Sequence, residues 1–284
     1  ILCAMVASVT ATPATLAANV TNSVFTAVVF PLGMAGLLVR IFEKKQEVVL
    51  LGSVVVLSFV SFPWVLLMLW PLFPNAASLS MLPASMSLFI YACKKDVGQY
   101  NRVTSILFFS LSVFSFAFIQ PNSVFSAAVF LIPYCLYAIV AYRGNIDDNS
   151  KSPLTSFFKT SHNRKLMASA FLIFVIFFWI LCYYAPFLRN TVQYYWEPIG
   201  SFSQELFNTL ALAFAGSSPQ PFLASLVLFG ALYSFYDTKY LWLTASYGFS
   251  CCLYIVSAVQ GDTLLKHLLT GFWYTDPYRI ACLL

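Results

Sequence analysis

Between Leu166 and Pro186 the chain runs for twenty-one residues without an Asp, Glu, Lys, Arg or His. A helix of about 20 apolar residues is what the roughly 30 Å hydrocarbon layer of a bilayer requires. The pattern recurs, with apolar runs near residues 22–40, 48–68, 79–93, 103–119, 123–142, 166–186, 221–236 and 240–258, and no charged residue or histidine lies in the middle of any of them. Only 9% of the residues are charged and 60% are hydrophobic, whereas ordinary soluble domains carry about 25% charged residues. One soluble core has no place for this much apolar sequence, so a soluble globular protein is excluded, as are disorder, collagen and coiled coil. The expected fold class is all-α: a polytopic transmembrane helical bundle of about eight spans, a single membrane domain over residues 1–284, with residues 1–9 as the tail of a ninth span.

Orientation follows from the basic residues, because Lys and Arg in short loops are retained on the cytoplasmic side. With the loop after the first span inside, Arg40, Lys44, Lys45, Lys94, Lys95, Arg102, Arg143, Lys151, Lys159, Arg164, Lys165 and Lys239 are internal, twelve of the fifteen. Arg189, Lys266 and Arg279 are external. Residues 201–216 are the ambiguous stretch. Ser201 and Gln204 form a capping-box pattern, and Leu206, Leu210 and Phe214 share a helical face. A helix of about 14 residues rises only about 21 Å, and Ser217, Ser218, Pro219, Gln220 and Pro221 stop it from growing. It is expected to lie flat on the outer surface, or to form a re-entrant piece, within the loop 187–220. Were it to span, the basic residues would divide thirteen against two, so charge alone does not decide.

The longest inner loop, 143–165, carries Asp147, Asp148 and five basic residues, and reads as a solvated cytoplasmic loop near anionic lipid. The seven cysteines fall mostly inside apolar runs, where Cys serves as a small apolar filler. His162 and His267 have no ligand-spaced partner, so no metal site is expected from the spacing. The chain starts at Ile1 and ends in the apolar stretch Ile280, Ala281, Cys282, Leu283 and Leu284, and it reads as an internal fragment of a longer protein.

Ion-coupled transporters bind their ion at mid-membrane depth through ionisable groups, and the spans here hold none. The informative residues gather on the expected outer face. Two Pro-Asn turns stand at equivalent depth: Trp70, Pro71, Leu72, Phe73, Pro74, Asn75 and Ala76, then Gln120, Pro121, Asn122 and Ser123. Each either reverses the chain or offers an amide to a polar ligand. In Tyr194, Tyr195, Trp196, Glu197 and Pro198, the rings suit an interfacial belt, while a carboxylate set among them is usable as a base or metal ligand. The densest cluster is Gly271, Phe272, Trp273, Tyr274, Thr275, Asp276, Pro277, Tyr278 and Arg279. It suits a sugar or lipid-phosphate site, because rings stack on sugar faces and Arg forks onto phosphate oxygens. It equally suits a belt in which Asp276 and Arg279 cap the next helix.

The combination of Pro74, Asn75 and Ala76, of Gln120, Pro121 and Asn122, and of the run from Leu268 to Arg279 resembles a family of actinobacterial polytopic membrane proteins, a domain of unknown function whose architecture is similar to the GT-C glycosyltransferases. The resemblance implies a membrane enzyme of cell-envelope glycan assembly in the bacterial plasma membrane. It would take a polyprenyl-phosphate sugar on the outer face, with membrane lipid around it and no nucleic acid as partner. GT-C enzymes carry their acidic base or metal ligand in the first outer loop, and no residue of this chain matches that loop. On this reading Arg279 holds phosphate, Trp273 and Tyr274 stack on sugar or prenyl chain, and Asn75, Gln120 and Asn122 bond hydroxyls. Asp276 and Glu197 are the candidate catalytic carboxylates, and Mg²⁺ or Mn²⁺ is the ion that suits carboxylates with phosphate. The rival readings are a transporter or flippase for a lipid-linked or amphipathic substrate, and a non-catalytic membrane scaffold.

Overall fold

The computed structural model describes residues 2–43, 45–68, 72–94, 96–141 and 160–284, and helix is the regular structure these residues form. In chain order the helices are α1 (Leu2–Thr10), α2 (Ala14–Phe42), α3 (Gln46–Met68), α4 (Phe73–Cys93), α5 (Gln99–Ile119), α6 (Asn122–Ala141), α7 (Ser161–Tyr183), α8 (Phe202–Ala211), α9 (Pro221–Tyr236), α10 (Thr238–Val259), α11 (Leu264–Thr270) and α12 (Pro277–Ala281). Seven of them, α2 to α7 and α10, are long and apolar enough to cross a membrane. The chain is therefore an all-α polytopic membrane protein. Helix α9 is equally apolar, but its 16 residues rise about 24 Å, short of the full hydrocarbon layer. Most of the loop 143–165, together with Trp70 and Pro71 of the first Pro-Asn stretch, lies outside the described residues.

Two helices begin earlier than their apolar runs. Helix α2 starts at Ala14 instead of residue 22, and α4 at Phe73 instead of residue 79. Polar residues near the start of the apolar run in α2 are satisfied by the helix itself. The Asn22 amide donates to Ala18 O at 2.8 Å, and the Thr26 hydroxyl to Asn22 O at 2.8 Å. Such i→i−4 bonds let a polar side chain be buried without a stranded donor.

The chain forms two compact units. The first comprises Ile1–Ala127, Ala213–Pro219 and Ala281–Leu283. Helix α4 is its centre, packed against α2 and α5, and 61% of its most apolar window is buried, against 11% for α5. Small residues permit this: Ala76, Ala77, Ser78, Ser80 and Ser85 are buried along α4, and a Cβ on Gly33 of α2 would fall 3.1 Å from Ala84 N. Without a hydrophobic force between helices in lipid, close backbone approach through small residues supplies the attraction. Helix α3 is broken at Phe59, whose ψ of 125° is extended, ahead of a cis Phe62–Pro63 bond. The Trp64 indole donates to Leu57 O at 2.8 Å, reclaiming a carbonyl at the break.

The second unit comprises Ala128–Leu212, Gln220–Ile280 and Leu284. Helix α10 is its centre, in contact with α8, α9 and α11. Ser246 of α10 donates to Phe130 O at 3.2 Å, and Trp242 meets Tyr134 edge-on with centroids 5.0 Å apart. Helix α7 has no fully buried residue, as suits a helix surrounded by lipid. Its carboxyl end is anchored where the Trp179 indole donates to Leu268 O at 2.8 Å.

Candidate functional site

In the second unit the carboxyl ends of α7 and α10 converge on one group of loops. Ile199 N–H donates to Ala258 O at 2.8 Å, and the Ser257 hydroxyl donates to Thr275 O at 2.7 Å. The chain between residues 184 and 212 therefore lies at the end of α10 where residues 260–280 also lie. Helix α8 belongs to this end. It opens on Ser201, whose hydroxyl accepts from Gln204 N–H at 3.4 Å, and it closes on Leu212 in the left-handed conformation.

Two consecutive residues without a glycine, Tyr274 (φ 62°) and Thr275 (φ 49°), are left-handed. Such a pair costs free energy that its surroundings must supply. Thr275, fully buried, supplies it. Its hydroxyl donates to Tyr194 O at 3.0 Å and accepts the Trp196 N–H at 2.8 Å, while its carbonyl takes the Ser257 bond. The reversal releases Asp276 to start α12: Oδ1 accepts the N–H of Tyr278 at 2.9 Å and of Arg279 at 3.4 Å, and Oδ2 takes Arg279 Nε at 3.1 Å. Asp276 is 3% exposed, and burial pushes its carboxyl above the ordinary range, opposed by Arg279 and by the backbone donors. The helix-capping alternative for Asp276 and Arg279 is thus real geometry. It also sets the guanidinium 4.6 Å over the Tyr274 ring. Among the described residues the two terminal nitrogens of Arg279 have no protein acceptor.

The remaining sequence-derived candidates divide by burial. Trp273 is 1% exposed and its ring lies beside Trp179, with Phe272 on the same indole; this indole packs the loops and presents no face outward. Glu197 is exposed, in the extended segment that precedes α8. Asn75 and Asn122 lie in the first unit and bond to each other, Asn122 Nδ2 donating to Asn75 Oδ1 at 2.8 Å, with the Ser78 and Ser123 hydroxyls paired at 2.7 Å beside them. Asn75 Nδ2 is buried without an acceptor. Gln120 is half-buried in the turn between α5 and α6. Pro121 and Asn122 do form a tight reversal there, whereas Pro74 and Asn75 form the first turn of α4.

Two residues passed over in the sequence are central to the fold of this site. Lys266 is wholly buried; its ammonium donates to Trp196 O at 2.7 Å and to Gln260 O at 2.8 Å and sits 5.1 Å from the Tyr195 ring. Gln260 is the carboxyl cap of α10, so the cation also meets the negative end of a helix dipole. Desolvation still pushes the Lys266 pKa down, with Asp262 opposing. Glu205 of α8 is 2% exposed and accepts from the Tyr254 hydroxyl at 2.6 Å and from Asn208 Nδ2 at 3.2 Å. Gly200 packs on this carboxylate with no room for a side chain. Neither residue has a sequence signature, since a lone Lys or Glu outside the apolar runs reads as solvated.

These carboxylates do not fit a divalent ion. Both Asp276 oxygens are held by Arg279 and backbone N–H groups, and one Glu205 oxygen takes both its tyrosine and its asparagine. Among the described residues no three His, Cys, Asp or Glu side chains converge. A sequence model of a family of unknown function, DUF6541, matches residues 1–284. No curated protein and no solved structure matches the chain.

Proposed function

We propose, for a chain that belongs to the family of unknown function DUF6541 over its whole length, that it is an integral membrane glycosyltransferase of GT-C type. It takes a polyprenyl-phosphate sugar on the outer face of a bacterial plasma membrane and works in cell-envelope glycan assembly. One observation carries this reading: Arg279 is held through Nε by a buried carboxylate and through its face by Tyr274, and among the described residues its two terminal nitrogens make no hydrogen bond to protein. A planar fork so held is preorganised for two oxygens of one phosphate. Partial burial, with 15% of the side chain exposed, strengthens a charge-assisted pair relative to bulk water. The resemblance of the motif from Leu268 to Arg279 to GT-C-like proteins supplies the sugar and the transfer.

In this reading Asp276 orients the guanidinium and is not the base, because its oxygens are occupied. Glu197, exposed next to Trp196, is the carboxylate we assign to take the acceptor hydroxyl's proton as that oxygen bonds the sugar and the polyprenyl phosphate departs. Asn75, Gln120 and Asn122 belong to the other unit and have no assigned step in this reading. No step runs through Mg²⁺ or Mn²⁺.

The test is binding of undecaprenyl phosphate and transfer of radiolabelled sugar by the full-length protein in nanodiscs. Arg279→Lys keeps the charge and loses the fork. It is expected to weaken phosphate binding about tenfold or more, the worth of one charge-assisted bond, while thermal stability changes little. Unchanged binding in both Arg279→Lys and Arg279→Ala would overturn the assignment. Translocation of a labelled lipid without bond transfer would favour the flippase reading.

A further inference from the structure

Trp196 is fastened at both ends of its peptide unit by wholly buried polar side chains. Thr275 accepts its N–H at 2.8 Å and Lys266 donates to its carbonyl at 2.7 Å. Removing an ammonium from water there is costly, and desolvation pushes the Lys266 pKa down. The carbonyls it serves sit on the segment carrying the indole and on the cap of α10. The left-handed pair at Tyr274 and Thr275 is spent on the same arrangement. Interfacial anchoring asks only that an amphipathic ring sit at headgroup level, and it does not require a peptide unit clamped by two buried polar side chains.

The rings so fixed form one continuous chain. Tyr274 meets Tyr194 at 6.0 Å between centroids, Tyr194 meets Trp196 at 6.4 Å, and Trp196 meets Tyr278 at 6.0 Å, with the Arg279 guanidinium over Tyr274 at one end. Tyr194 is 49% exposed, and Tyr274, Trp196 and Tyr278 are each partly exposed. These rings come from two segments about eighty residues apart. Tyr and Trp present an apolar face with a polar edge, the surface that a sugar ring's C–H face and hydroxyls match. The burial of Trp273 leaves this row, not Trp273, as the aromatic surface beside Arg279.

We propose that Tyr194, Trp196 and Tyr278 form a carbohydrate subsite that receives the sugar ring of a lipid-linked saccharide while Arg279 holds its phosphate. The inference rests on the phosphate reading above and adds which residues recognise the sugar. Thr275 and Lys266 act as positioning residues for Trp196.

The experiment compares, in nanodiscs holding the full-length protein, affinity for undecaprenyl phosphate with affinity for a panel of undecaprenyl phosphates bearing glucose, galactose, mannose or arabinose. At least one sugar should raise affinity about fivefold over the bare phosphate, the worth of ring stacking. Trp196→Ala should abolish that gain while leaving affinity for the bare phosphate within twofold, and Trp196→Phe should keep part of it. Thr275→Ser, which retains the hydroxyl, should keep the gain. If no sugar improves on the bare phosphate, or if the gain survives Trp196→Ala, the subsite is wrong although Arg279 still binds phosphate. If the wild type binds neither lipid, the failure belongs to the phosphate reading. Loss of bare-phosphate binding in both Trp196 variants would make the residue structural and overturn the proposal.

Discussion

Thr275 stabilises a conformation that its own type disfavours. A β-branched residue at positive φ follows another left-handed residue, and the compensation is a buried hydroxyl used twice, to Tyr194 O and from Trp196 N–H. Thr275→Val keeps the shape and strands both backbone groups, at about 2–3 kcal/mol. Thermal unfolding in detergent should show a clear loss for Val and little for Ser. Asp276 makes a pH-dependent contribution of known sign. Its folded pKa is raised above the ordinary 3.8, chiefly by burial, so in the window from 3.8 up to that raised value the folded state binds more protons than the unfolded one. Stability contributed by this group is therefore present in full below pH 3.8 and declines as pH rises through the window. Asp276→Asn should flatten that part of the profile, seen as a difference between wild-type and variant melting temperatures.

At the scale of elements, glycine separates helices that must touch backbone to backbone from helices bathed in lipid. A Cβ on Gly33 would crowd Ala84 N of the facing helix at 3.1 Å, whereas one on Gly230 of α9 would meet nothing within 4 Å. Gly33→Val should therefore pry α2 from α4 and cost about 1–3 kcal/mol. Gly230→Ala should stabilise α9 by up to about 1 kcal/mol through helix propensity alone. Opposite signs in a thermal-shift comparison are the expected result, and equal effects would refute the packing described for α2 and α4. Polar residues obey the same distinction. Ser80 bonds Ala76 O at 2.7 Å within its own helix, and Asn122 donates to Asn75 on another, so the Ser80 hydroxyl and the Asn122 amide are buried with acceptors while Asn75 Nδ2 has none.

For the whole molecule, the basic residues predict which ends of the helices face the cytoplasm. Lys165 lies near the start of α7 and Gln193 beyond its end, and both are exposed. In a background free of the seven native cysteines, Gln193→Cys should react with an impermeant maleimide on intact cells, and Lys165→Cys only after permeabilisation. The reverse pattern would put Arg279 and the aromatic row on the cytoplasmic side and remove the outer-face glycosyltransferase reading with them. The short helix α8 is accounted for by the same geometry. Its Glu205 bonds Tyr254 near the carboxyl end of α10, at 2.6 Å, and its ten residues rise only about 15 Å.

The membrane class, the all-α fold and most span positions were legible in the sequence, because a bilayer imposes a period of about 20 apolar residues that no single contact can alter. Span starts were less legible: apolarity ended at residue 79 in α4, yet buried Asn75 and Ser78 extend the helix to Phe73 through bonds to partners distant in sequence. At the candidate site, the run from Gly271 to Arg279 stood out by its density of rings and charges, and Arg279, Asp276 and Tyr274 do lie together there. What the sequence could not disclose was which indole faces outward and which side chains hold it. Trp273 turns inward to Trp179, while Trp196, about eighty residues earlier, is brought to the same place by Thr275 and Lys266. Burial is decided by the packing of the two helix ends, and a lysine or glutamate carries no mark in the chain that it will be enclosed. Only the tertiary structure, by removing water from Lys266, Glu205 and Asp276, turned charged residues between the long helices into the groups that shape the site.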